Sequence, residues 1–158
     1  MSLMNSSTHS RPASTRDTDH FLDFLERYWN ITLTHVSEQM GALWDYQVAW
    51  RLDADIYLFG IINHFGRQTH LTIDQTLSLC VVFLTERMHM NLVEAQQTLH
   101  RIIRHVEARD TCAYLQAGEQ ALDAFTHGDF TSAHRLGDLL VADASAHSRP
   151  EKHVVPLT

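Results

Sequence analysis

Apolar residues recur at steps of three and four along most of this chain, the spacing of amphipathic helices rather than of strands. The clearest stripe is Leu92, Ala95, Leu99, Ile102, Ile103 and Val106, which predicts a helix over 92–108. Asn91 stands at the N-cap position, and Glu94 three residues later completes a capping-box start. Before it, Ile73, Leu77, Val81, Leu84 and Met88 predict a helix over 73–88 capped by Thr72. Leu79, Val82 and Phe83 make its opposite face apolar too, so this helix is expected at the centre of the molecule. Ala54, Leu58, Ile61, Ile62 and Phe65 predict a helix ending at Gly66 in a left-handed cap.

The segment 17–50 is helical in pattern but ambiguous in number. Phe21, Leu25 and Tyr28 begin a stripe, and Val36, Met40 and Leu43 continue it. The β-branched run Ile31-Thr32-Leu33-Thr34 between them is expected to be a break. Downstream, Leu115, Gly118, Leu122 and Phe125 predict one helix, and Phe130, Ala133, Leu136 and Leu140 another. Gly128 and Asp129 supply a stop and a cap between them, so the pair forms an antiparallel hairpin. Gly128-Asp129-Phe130-x-x-Ala133 resembles the turn and second helix of a tetratricopeptide repeat. The resemblance spans about 20 residues with no second copy at the ~34-residue period, which leaves ordinary helical-hairpin chemistry. Two helix starts echo one another, His70-Leu71-Thr72-Ile73 and His89-Met90-Asn91-Leu92.

Proline sharpens the outline. Pro12, Pro150 and Pro156 are all the prolines present, and none falls between 13 and 149. Proline breaks helix interiors and turn-rich folds use it, so a body without it favours helices on short loops. Residues 1–16 and 145–158 lack periodicity and read as disordered ends flanking a domain over 17–144. The fold class expected is all-α: a single bundle of about five to seven antiparallel helices closing on a helical hairpin.

The chain has 158 residues and a formal net charge of −7, which speaks against a phosphate-binding face for nucleic acid. Lys152 is the single lysine among twelve basic residues, an arginine bias expected of a GC-rich, bacterial coding sequence. No apolar run reaches the ~18 residues of a membrane span, and no signal-peptide pattern opens the chain, so a cytoplasmic location is expected. Cys80, inside an apolar run, reads as a small buried hydrophobe, and two cysteines do not make a disulfide scaffold.

Catalytic signatures are missing: there is no phosphate-binding glycine loop, nucleophile elbow, HExxH or CxxC. Glu86-Arg87-Met88-His89 supplies the di-iron spacing only once. Met88-His89-Met90 reads as core, loop and packing residues rather than a copper site, and Asp53 and Asp55 read as a helix cap and a first-turn acid. Two constellations remain. If helices over 54–65, 73–88 and 92–108 run up, down and up, then His64, His70 and His105 share one end, with Glu107 and Asp110 close by. His89 lies roughly 24 Å away at the other end. Three imidazoles and a carboxylate are zinc ligand types. Trp44, Tyr46 and Trp50 cannot all face one side of a single helix, so at least one is expected to meet solvent or a partner. The reading that follows is a non-enzymatic protein-binding module of inhibitor, adaptor or chaperone type. Its expected partner is another protein, a basic one being compatible with the charge, and a homodimer is expected through Trp44–Trp50. The rival is a metal- or small-ligand-binding bundle, enzymatic or not, built on the histidine end.

Overall fold

The computed structural model describes residues 15–46, 48–108 and 112–154, with side chains over 16–44, 50–108 and 112–146. Among them are seven α-helices and no strand: α1 (Thr15–Met40), α2 (Ala42–Tyr46), α3 (Val48–Gln68), α4 (Ile73–Val82), α5 (Leu92–Glu107), α6 (Ala113–Thr126) and α7 (Arg135–Val154). A π-helical turn, Phe83–Arg87, extends α4, and a 3-10 turn, Phe130–His134, leads into α7. The all-α bundle is what the periodicity predicts. The arm expected over 1–16 lies almost wholly outside the described residues. At the other end, α7 continues past 145 to Val154, so no helix boundary falls where the tail was expected to begin.

α1 is unbroken. Its buried face carries Phe21, Leu22, Leu25, Tyr28, Trp29, Thr32, Val36 and Met40, a single stripe that passes through the expected break. Thr32 is inside the core, and the Thr34 hydroxyl donates back to the Asn30 carbonyl at 2.8 Å. The helix-propensity deficit of β-branched residues is a few tenths of a kcal/mol each, about. Burial of a continuous stripe exceeds it. The real interruption comes at Gly41, whose φ of +60° ends α1 and lets α2 leave at an angle.

The centre of the bundle is α3, not α4. Ala54, Ile56, Tyr57, Leu58, Ile61 and Ile62 are all but sealed from solvent, burial on nearly every side of the helix. α6 lies along it, and α2, α4, α5 and α7 also touch it. The α3–α6 crossing is set by Gly60 and Gly118: a Cβ on either would run into backbone of the other helix. Below the crossing the two helices are tied by polar side chains. Arg67 Nη2 lies 2.8 Å from Glu119 Oε2, and Asn63 Nδ2 donates to the same carboxylate at 3.3 Å. α1 packs along α7. The C-terminal hairpin forms as expected, with the Tyr114 hydroxyl of α6 donating to Asp143 of α7 at 2.7 Å.

α3 does not stop at Gly66. That glycine is buried inside the helix where the Thr76 side chain of α4 presses against it. The left-handed residue is His70, at φ 60°, with Leu71 N–H bonded to Gly66 O and His70 N–H to Arg67 O. His89 takes the same φ of 60° after the π turn. Both are followed by a half-buried apolar residue and an N-cap with a full capping box, Thr72 with Gln75 and Asn91 with Glu94. The sequence echo is therefore one loop design used twice.

Candidate functional site

The six residues singled out by sequence lie on α2, on α3, on α5 and in the loop after α3. Trp50 is only 8% exposed and belongs to the core of its own chain. Trp44 is half-buried on α2, and the side chain of Tyr46 lies outside the described residues. Trp44 and Tyr46 stand on α2 and Trp50 on α3, so the three residues are divided between two helices.

His64, His70 and His105 are not gathered into a ligand set. Among the described residues no three His, Cys, Asp or Glu side chains form a group able to hold a metal ion. His64 Nε2 faces Asp123 Oδ2 of α6 at 3.1 Å, where Gln68 also donates at 3.3 Å, so this imidazole is a strut between α3 and α6. His70 is an exposed loop residue chosen by backbone geometry. His105 sits half-buried near the end of α5, and Asp110 is outside the described residues. Shared height along a bundle does not fix which way a side chain points, so it does not by itself assemble a ligand set.

Two concave features were not legible in the sequence. The first is an open groove of about 610 Å³ along the outer side of α4 and α5. Leu77, Val81 and Val82 line it from α4, and Leu99 and Ile103 from α5. Asp74, Gln96 and His100 stand at its edges. It exists because α4 turns its Thr76, Leu79, Cys80 and Phe83 face to α3, the face opposite the expected Ile73–Leu77–Val81 stripe. Ile73 is left 78% exposed, and Leu92 and Val93 at the start of α5 are exposed as well.

The second is a cavity of about 560 Å³ beneath α2. Trp29 and Leu33 of α1 and Trp44 of α2 form one wall, and Met88 and Met90 form another. Asp55 of α3 opens into it, with Arg51 one turn earlier and Arg101 across on α5. Asp55 is neither a cap nor a first-turn acid, because α3 begins at Val48. Burial pushes its carboxyl up to about 7, against the opposing pull of Arg101 and then Arg51. The Cys80 thiol on α4 is pushed up to about 12, first by burial and then by Asp55. Arg101, an exposed residue of α5, also lines this cavity. A polar residue on a helix already carrying an apolar face gives no sign of the cavity beside it, which is why the periodicity missed it.

Fold and concavities together define an all-α helical bundle with one apolar outer groove and one mixed apolar and charged cavity. No family model, no curated protein and no solved structure matches the chain. No described helix is long and apolar enough to cross a membrane.

Proposed function

We propose that this chain is a protein-binding helical module whose docking surface is the α4–α5 groove, and that its occupant is an amphipathic helix of a partner protein. The observation that carries the reading is the row of half-buried apolar side chains along that groove, Leu77, Val81 and Val82 opposite Ile103, beside the buried Leu99. Two antiparallel helices with an apolar trough between them offer the ridges and holes that a third helix fills. Contiguous exposed apolar surface of this kind marks interaction sites. Asp74 at the edge and the net charge of −7 favour a partner with basic residues beside its apolar stripe. Cys80 and Cys112 are both free thiols, which suits a reducing, cytoplasmic compartment.

The test is a capture experiment from the native host with three baits: the parent, Val81→Arg and Trp44→Ala. The partner should be held by the parent and by Trp44→Ala and lost by Val81→Arg. Its footprint in hydrogen exchange should fall on the two groove strips of α4 and α5. A partner retained equally by all three baits removes the groove from the reading. Light scattering that shows a stable dimer abolished by Val81→Arg would put a second copy of this chain in the groove and overturn the hetero-partner assignment.

A further inference from the structure

We propose that the cavity beneath α2 is a binding site for a small organic carboxylate with an apolar, aromatic-sized body. It is independent of the α4–α5 groove and lies on the opposite side of the contact that α5 makes with α3.

No described residue hydrogen-bonds or ion-pairs with the Asp55 carboxyl, and neither Arg51 nor Arg101 ion-pairs with a described carboxylate. Arg101 Nη2 reaches only the Thr98 hydroxyl, at 3.4 Å. Glu94 is also on the rim, but its carboxylate is occupied by the capping box, 2.8 Å from Asn91 Nδ2. Two guanidinium groups and one half-buried acid therefore share a cavity of about 560 Å³, a size suited to a small molecule. The rest of the wall, Trp29, Trp44, Met88 and Met90, is aromatic or thioether surface that accepts a flat apolar body.

The sign of the ligand follows from which of these charges can be switched off. An arginine cannot lose its proton in a protein. A cation entering the cavity would meet two permanent positive charges. An anion would meet two carboxylates: Glu94 at the rim, held in its capping box, and Asp55, which sits at about 7 and protonates readily. Once neutral, Asp55 becomes an O–H donor to the incoming carboxylate, and the two guanidiniums supply charge-assisted hydrogen bonds. The groups facing Asp55 are Arg51 on its own helix, Arg101 and Glu94 on α5 and the Cys80 thiol on α4. Among the described side chains, Trp29 and Leu33 of α1 and Trp44 of α2 complete the wall. Ligand uptake is thus coupled to uptake of one proton at Asp55.

Calorimetry with phenylacetate, its neutral amide phenylacetamide, the amine phenethylamine and inorganic phosphate tests this on the full chain. Phenylacetate should bind saturably and the other three much more weakly. With Asp55 titrating at about 7, affinity should be about tenfold tighter near pH 6 than near pH 8. Asp55→Asn, which keeps a neutral donor, should bind at both pH values as the parent does near pH 6. Arg101→Gln, an exposed position, should weaken binding about tenfold while leaving the circular dichroism spectrum unchanged. No saturable binding of phenylacetate at millimolar concentration overturns the proposal. So does equal or tighter binding of the amine or of phosphate, or an Asp55→Asn variant that keeps the parent's pH dependence.

Discussion

His70 and His89 show how far a single backbone angle can decide a residue's role. Both occupy φ 60°, a region that costs a non-glycine side chain on the order of 1 kcal/mol. Among the described residues neither belongs to a group able to hold a metal ion. His70→Gly and His89→Gly should therefore each stabilise the fold by about 0.5–1 kcal/mol in urea unfolding, and His89→Val should destabilise it. A loss of stability in the glycine variants would show that the imidazoles make contacts of their own. Asp55 works in the opposite direction. Its carboxyl is raised from 3.8 to about 7, so the folded chain holds the proton more tightly than the unfolded chain does. The contribution is fully present below the unfolded value and is lost as pH rises through about 7. Asp55→Asn should be more stable than the parent near pH 8 by roughly 1–3 kcal/mol, with the difference vanishing toward pH 4. Melting curves across that range check the sign.

At the scale of elements, the helices are written locally but their faces are not. On α5 the periodicity points to the right side, and Ala95, Leu99 and Ile102 are buried. Ile102→Ala should cost about 2–5 kcal/mol. Leu92→Ala, at the exposed start of the same stripe, should stay within about 0.5 kcal/mol of the parent by thermal melting. On α4 both faces are apolar, and the pattern could not say which one meets α3. The α3–α6 crossing was half legible: small residues at Ala117, Gly118 and Ala121 predict close approach by some neighbour. The neighbour is α3 at Gly60 rather than the hairpin partner α7. Gly118→Ala should destabilise by about 1–3 kcal/mol, because the added carbon meets backbone that cannot rotate away. A neutral effect in denaturant titration would mean that the crossing is looser than it stands here.

For the molecule as a whole, Trp50 separates two accounts of the aromatic run after α1. Buried at 8% exposure, it should cost about 3–5 kcal/mol on replacement by Ala and leave the oligomeric state unchanged. A surface residue of a dimer would do the reverse, and light scattering beside a melting curve distinguishes them. By itself the sequence determined the all-α class, the caps at Thr72 and Asn91, the hairpin after Gly128 and the buried stripe of α5. All of these rest on interactions within a few residues, where the 3.6-residue period and side-chain capping act directly. Only the tertiary structure decided that α3 is central, that His64 braces Asp123 instead of meeting His70 and His105, and that Asp55, Arg51 and Arg101 open into one cavity. Those outcomes depend on the rotation of each helix about its own axis. That rotation is set by which apolar faces find each other across the bundle, a comparison between distant segments that no local pattern contains.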